Sequence, residues 1–468
     1  MKDNYKLLIK DTFIFALGSL GSKLILFFLV PLYTNYLTTS EYGKAELVNS
    51  FSFLVIPFSA LVINEAVIRF GMKKDEKKEN VLLSAFIVLL TSTVASFLIC
   101  YALHFYEPLA KWWPYLYLYV ILSNISEVGR SYLKVKNQNK KFAIISILQT
   151  MILALSNIML LTILKTGIKG YLTSTIIAVG FSAVLSFFIA GIPSDLRNSH
   201  FEPILLKKMI YYSSPLIFSN ISWWVIHSSD KIMIERMMDE SSLGIYTAAT
   251  KIPALINVII AIFNQAWGLS SIREIESSND QHFYSDVFNK FILILFGAAI
   301  FLTSIIKPFM SIYVGNEFEE SWRYVPLLLS SAVFFSISAF IGSLYAALQK
   351  NINNMWTTIL CAMLNVIINY LCIPHFGVWG AVIGTVSSYF FISVIRVINI
   401  KRLIVFDISN TKFIINTSLM VVYAIVVSIG KYIPAVSCVT IIAFLVVNYS
   451  TLLQLANSAL GILKTKKK

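Results

Sequence analysis

Charge is what this chain has least of. Asp, Glu, Lys and Arg make up 13% of its 468 residues, against roughly 25% in soluble chains. A water-soluble globule of this size could not clothe its surface with so few charges. Cysteine is scarce as well. Cys100, Cys361, Cys372 and Cys438 all sit in apolar runs and form no CxxC pair, which argues against a disulfide framework or a zinc ribbon. The five histidines, His104, His200, His227, His282 and His375, share no helical spacing. HExxH, a Walker loop, GxGxxG and a nucleophile elbow are all missing, so the usual hydrolytic and nucleotide-driven chemistries have no anchor. No cofactor is indicated. The loops between apolar runs are too short to hold an external catalytic module.

What the chain has in excess is apolar length, 57% of it hydrophobic. A membrane helix takes ~20 such residues. Apolar runs place spans at 12–33, 46–68, 81–104, 113–133, 142–164, 171–191, 211–230, 245–268, 287–306, 326–348, 355–374, 378–398, 412–430 and 435–457. The expectation is an all-α integral membrane protein of about fourteen helices. The N-terminal lysines followed by an apolar stretch read as an uncleaved first span rather than a signal peptide.

The net charge of +14 raises the question of nucleic acid, and its placement answers against it. With a cytoplasmic N-terminus, 27 of the 38 basic residues fall in cytoplasmic segments and nine in external ones. Lys23 and Lys251, deeper in their spans, are counted to neither side, while Arg130, Lys290, Arg396 and Lys412, within a turn of a span end, count as cytoplasmic. This is the positive-inside bias of a membrane protein with both termini in the cytoplasm. The excess serves topology and contact with anionic lipid.

Two segments recur. YLTTSEYGKA at 36–45 and MMDESSLGIY at 237–246 follow spans one and seven and align Ser40 with Ser241 and Gly43 with Gly244. TGIKG at 166–170 and FGVWG at 376–380 lie between spans five and six and between eleven and twelve. Both pairs stand at equivalent topological places, as a duplication of six spans requires. An even number of spans inserts both copies the same way, which predicts two lobes with a binding cavity between them. The expected domains are 1–205, 206–400, and a 401–468 extension carrying the last two spans.

An ionisable residue at membrane depth costs roughly 2.5–3.5 kcal/mol, so it faces a cavity or a partner. Lys23 sits mid-way along span one, too deep to snorkel; it is either a lysine paired for packing or a cavity cation. Lys251, one to two turns into span eight, poses the same choice. Glu65 and Arg69 are four apart beside Asn64, and Glu127 and Arg130 three apart. Each pair shares a helix face, and the two sets could line one cytoplasmic vestibule or serve as boundary salt bridges. Span seven carries Asn220, Trp223, Trp224, His227 and Asp230. A polar and aromatic face suits saccharides, whose CH faces stack on indoles; packing is the plain alternative, and Asp230 with Lys231 can be boundary charges.

The stretch LGSLGSKLILFFLVPLYTNYLTTSEYGKAELVNS, the proline-bearing second span, NEAVIRF, and SDKIMIERMMDESSLGIYTAATKI together resemble the polysaccharide repeat-unit flippases. These belong with the multidrug and toxin extrusion antiporters and the lipid II flippases. The resemblance implies a V-shaped, two-lobed bundle with alternating access in a bacterial inner membrane. It implies an undecaprenyl-diphosphate-linked oligosaccharide as cargo for O-antigen or capsule. It also implies a cationic cavity, with Lys23, Arg69, Lys251 and Arg130 as its candidates and Asn220, Trp223 and Trp224 against the glycan. Glu65, Glu127 and Asp230 are the candidates for a coupling proton or sodium ion, and a polysaccharide polymerase is the candidate partner. A multidrug antiporter and a lipid II flippase are the competing readings. A membrane glycosyltransferase is disfavoured by the missing acidic metal motif.

Overall fold

The computed structural model describes residues 21–73, 75–277, 283–348, 350–430 and 434–465. Residues 12–20 of the first expected span lie outside these, as do Lys2, Lys6, Lys10 and Lys466 to Lys468 of the basic ends. The described residues are overwhelmingly helical and include no strand. In chain order they are α1 (residues 21–36), α2 (Thr39–Ala60), α3 (Ile63–Gly71), α4 (Lys78–Ala102), α5 (Trp113–Val135), α6 (Asn139–Asn157), α7 (Gly167–Ile189) and α8 (Ile192–Arg197). There follow α9 (Pro203–Met237), α10 (Glu240–Ser277), α11 (Phe283–Tyr313), α12 (Val325–Ala347), α13 (Asn351–Phe376), α14 (Val378–Ile400), α15 (Asn410–Ser428) and α16 (Pro434–Thr465). A helix stands at each of the fourteen expected spans, with α2 and α3 together filling the second.

Among the described residues, nine helices are long and apolar enough to cross a membrane, or ten if the bent α2–α3 pair counts as one span. The chain is a multi-pass membrane protein. Three long helices, α5, α9 and α10, fall short of that apolarity, and α5 and α9 carry Glu127, Arg130, Asp230 and Lys231. Elsewhere the outward faces are apolar. On α4, Leu90, Val94 and Leu98 are four residues apart and 71%, 63% and 62% exposed, a stripe suited to lipid chains.

The described chain divides into two compact units, Met1–Glu235 with Asp239–Gly244, and Arg236–Met238 with Ile245–Lys468. Helix α9 therefore belongs almost wholly to the first. The core of that unit gathers Ile63, Val67, Phe70, Leu82, Ala85, Tyr132, Ile145, Leu205 and Met209. Small residues bring its helices close: Ser126 and Ser182 share a 2.8 Å hydrogen bond between α5 and α7, and a Cβ on Gly129 would strike Ser186.

Helix α2 starts in a capping box. Glu41 N–H donates to Thr38 Oγ1 at 3.2 Å, and Thr38 N–H to Glu41 Oε2 at 3.1 Å, satisfying amides that lack helical partners. The helix carries Pro57 and ends at Leu61 and Val62, with φ of 52° and 53°. Both residues are in the left-handed region, which a β-branched side chain rarely adopts. The chain there turns by 51° into α3.

The second unit is held partly by Arg396 of α14, 5% exposed. Its guanidinium donates to Ser338 O at 2.8 Å on α12, and on α13 to Asn354 O at 3.2 Å, Thr357 Oγ1 at 3.0 Å and Thr358 Oγ1 at 2.9 Å. Counted from sequence among the cytoplasmic cations, it is a clamp on three helices. The glycines of the repeated turns behave alike: Gly167 and Gly377 have φ of 57° and 59°, where a side chain is strained.

Candidate functional site

Within the first unit, α2, α3, α5, α6, α7 and α9 enclose a cavity of about 550 Å³. That is within the ~300–1,000 Å³ range of small-molecule sites. The break after α2 shapes its wall: Ala60, Val62, Ile63, Asn64 and Glu65 line it in succession. Helix α5 contributes Tyr119, Ser123, Asn124, Glu127 and Arg130, spaced at three and four residues and therefore on one face. Gln149 comes from α6, and Tyr212 and Asn220 from α9.

The polar groups of this wall are held by one another. Arg130 is ion-paired with Glu127, donates to Gln149 Oε1 at 3.3 Å and lies 6.0 Å from the Phe142 ring centre. Its Nε is buried with no acceptor. Asn124 Nδ2 donates to Ser59 Oγ at 3.0 Å, which fixes that amide against α2. Asn220 Nδ2 donates to Leu216 O at 2.9 Å on its own helix.

Four residues proposed from sequence thus meet in one place: Glu65, Glu127, Arg130 and Asn220. Glu65, with Asn64, and the Glu127–Arg130 pair line one cavity, while Arg69 of the first set does not. Of its four expected cations only Arg130 lines it. Arg69 is exposed in the last turn of α3 and makes no ion pair with Glu65. Lys23 is exposed on α1 beside Leu24 and Leu26, themselves 47% and 42% exposed, and is not part of the lining. Lys251 is half-buried in α10. The lining holds two carboxylates and one guanidinium, so its charge is not the cationic one that an anionic cargo alone suggests.

Span seven divides its roles. Trp224 Nε1 donates to Ser50 O at 2.6 Å, and its ring packs edge-on to Phe51; this indole joins α9 to α2. Trp223 is 46% exposed and stacks on His227 at 5.7 Å. Neither lines the cavity. Asp230 is buried, and its Oδ1 accepts from Lys231 N–H at 2.9 Å.

The sequence reading missed Glu46. It is 6% exposed and forms a 3.1 Å ion pair with Lys231, so Lys231 is a buried cation rather than a boundary charge. Nearby, Asn49 donates to Tyr171 Oη at 3.0 Å, and Tyr171 packs edge-on to Tyr33. Toward the start of α2, Glu240 accepts from Ser40 Oγ at 2.7 Å and pairs with Lys44 at 2.8 Å. A Cβ on Gly43 would collide with Glu240 O, and one on Gly244 with Thr39 O. The repeated SEYG and ESSLG segments therefore touch through their glycines. No sequence signal couples Glu46 to a partner 185 positions away; a glutamate at the edge of an apolar run was the only hint.

The family profile described as polysaccharide biosynthesis protein matches residues 8–268, more than half of the chain. The chain belongs to that family. It is 23% identical over 286 residues to a probable low-salt glycan biosynthesis flippase of Haloferax volcanii, covering 59% of this chain and 58% of the relative. It is 24% identical over 265 residues to an uncharacterized membrane protein of Haemophilus influenzae, covering 55% and 64%. The chain thus spans less than two thirds of the length of either relative. Among solved structures it is similar to the lipid II flippase MurJ in an inward closed conformation, with a TM-score of 0.70, 12% identity, and coverage of 94% of this chain and 100% of that one. An inward-facing multidrug resistance MATE transporter of the MOP superfamily matches at 0.61 and 13%, covering 80% and 96%. A MOP transporter from Pyrococcus furiosus, reported for the reverse polarity of its binding pocket, matches at 0.60 and 14%, covering 83% and 94%. At such identities these likenesses establish the fold: all-helical, of the MurJ and MATE kind.

Proposed function

We propose that the chain is a transporter rather than an enzyme, and that it flips a polyprenyl-diphosphate-linked saccharide across its membrane by alternating access. The observation that carries this is the lining of the 550 Å³ cavity, in a chain of the polysaccharide biosynthesis family. Amides and hydroxyls at Asn64, Ser123, Asn124, Gln149 and Asn220 offer paired donors and acceptors to sugar hydroxyls. Phe53, Tyr119 and Tyr212 supply rings for sugar CH faces. The Haloferax relative, a probable glycan biosynthesis flippase, supports a glycan cargo. MATE structures solved inward-facing and outward-facing both match this chain, which supports alternating access.

Arg130 has a defined place in this mechanism. Its charge is held by Glu127. A diphosphate arriving at the vestibule competes for the guanidinium, which binds phosphate oxygens in the same forked manner as a carboxylate. Release of the diphosphate lets Glu127 recapture it. Surface polysaccharide of the O-antigen or capsule type is the proposed destination, and a bacterial inner membrane with cytoplasmic termini the proposed setting. Lys23 keeps its expected role as a proposal separate from this cavity.

One observation favours a second reading. Two carboxylates against one guanidinium suit an organic cation, as a multidrug antiporter carries. The two readings give opposite signs in one experiment. In proteoliposomes, Arg130→Ala should slow flipping of a lipid-linked oligosaccharide by about tenfold or more, the scale of a lost charge-assisted contact, while Arg130→Lys retains part of it. Cationic-drug transport preserved or enhanced by Arg130→Ala and abolished by Glu127→Gln, with no saccharide flipping by the wild type, would overturn the proposal. Lys23→Ala and Lys23→Arg in the same assay test the separate role of Lys23, the first expected to abolish flipping and the second to preserve it.

A further inference from the structure

The second unit contains a smaller cavity, of about 230 Å³, that the proposed transport does not use. It lies among the first turns of α11 and α15 and the middle of α16, and its wall includes Lys290, Lys412, Asn416, Asn448 and Asp286. By the positive-inside reading the first turns of α11 and α15 stand at the cytoplasmic surface of the membrane.

Its chemistry is that of an anion site. Lys412 Nζ donates only to hydroxyls, Thr451 Oγ1 at 3.2 Å and Ser450 Oγ at 3.4 Å. Neither Lys290 nor Lys412 has a carboxylate partner among the described residues. Asp286, one turn before Lys290, is exposed and pairs with neither lysine. The inner wall is neutral and fixed: Asn416 and Asn448 exchange hydrogen bonds of 3.1 and 2.8 Å and are 4% and 2% exposed. A third cation stands beside the cavity, Lys401 donating to Asn410 Oδ1 at 3.0 Å, with Arg402 exposed next to it. Unpaired ammonium groups around a walled space repel one another until an anion enters.

The surroundings of the cavity say which anion. Its helices carry exposed apolar side chains on their outer faces: Ile294 at 60%, Ile414 at 61%, Tyr449 at 65% and Leu453 at 45%. A polar, cationic recess above lipid-facing helix surfaces is where a phospholipid places its phosphate with its acyl chains alongside. We propose that this recess binds the phosphate of an anionic membrane phospholipid, with Lys290 and Lys412 as the contacting cations and Lys401 as an outer one. The site is separate from the saccharide cavity and does not depend on its assignment.

Native mass spectrometry of the full chain, extracted in detergent and given matched short-chain lipids, tests this. The wild type should retain phosphatidylglycerol in preference to phosphatidylcholine. The Lys290→Gln/Lys412→Gln double variant should lose roughly tenfold or more of that preference, the scale expected for two surface cations facing an anionic headgroup. Lys290→Arg/Lys412→Arg should keep it, and so should Arg130→Ala, whose change lies in the other unit. Equal retention of the two lipids by the wild type would overturn the proposal. So would an unchanged preference in the glutamine variant. Displacement of the lipid by inorganic phosphate at matched concentration would mark a site for soluble phosphate and overturn the lipid assignment. The first and third comparisons use unmodified protein, so a variant that fails to fold leaves the test intact.

Discussion

At the scale of single residues, the buried charges decide most. Glu46 and Lys231 neutralise each other at 3.1 Å with side chains only 8% and 17% exposed. Replacing Lys231 by methionine keeps the volume but removes the ammonium that faces Glu46. Breaking one side of such a pair costs about 3–5 kcal/mol, whereas removing both charges costs far less. Thermal unfolding in detergent should therefore show Lys231→Met strongly destabilised and Glu46→Gln/Lys231→Met less so; additive losses would contradict the pairing. Asp195 offers a pH-dependent case outside the spans. Burial alone would push its carboxyl up, but bonds from Lys136 at 2.6 Å and Tyr132 at 2.6 Å outweigh that and hold it below the ordinary carboxylate range. A lowered folded-state value means stability present above the unfolded value of about 3.9 and lost as pH falls from there through the folded value. The melting-temperature gap between wild type and Asp195→Asn should be full at neutral pH, begin to shrink below about pH 4 and vanish only below the folded value. Legibility at this scale followed sequence distance. Glu127 with Arg130 was readable because three residues share a helix face. Glu46 with Lys231 was not, since only the folded chain brings α2 beside α9.

At the scale of elements, apolar runs marked where helices stand but not where they end or break. Helices α9, α10 and α11 run on past their apolar cores into charged turns such as Lys207–Lys208 and Glu235–Arg236. In sequence such turns look like loops. The break at Leu61 and Val62 carries no glycine to announce it, and only Pro57 hinted at a bend. Asn64 and Glu65 line the cavity wall just after that break. The repeated glycines, by contrast, were visible, and their contact gives a prediction. Gly43 and Gly244 leave no room for a Cβ against the backbone carbonyls of Glu240 and Thr39. Rigid backbone cannot yield as a side chain can. Gly43→Ala and Gly244→Ala should each lower the melting temperature, by an overpacking cost of about 1–3 kcal/mol. Gly21→Ala, where nothing lies within 4 Å, should change little. Equal melting temperatures for all three would argue against the close approach.

At the scale of the whole molecule, composition alone placed the chain in a membrane with about fourteen helices. The all-helical structure and its likeness to MurJ and MATE transporters agree. The charge of the site was less legible. A mid-span lysine suggested a cationic chamber, yet the cavity that forms is built on α2, α3, α5, α6, α7 and α9 and gathers amides, rings, two acids and one arginine. Hydropathy gives a residue's depth, not which way its helix face turns. The account therefore rests on this cavity receiving the sugars of a lipid-linked glycan. The most direct measurement is the labelling rate of a single cysteine at position 149 or 220, in a variant otherwise free of cysteine, by a small maleimide. A polyprenyl-diphosphate oligosaccharide should slow labelling at both positions in proportion to its occupancy, and the bare polyprenyl diphosphate should not. Labelling that proceeds equally fast at both positions with saturating saccharide lipid would contradict the account.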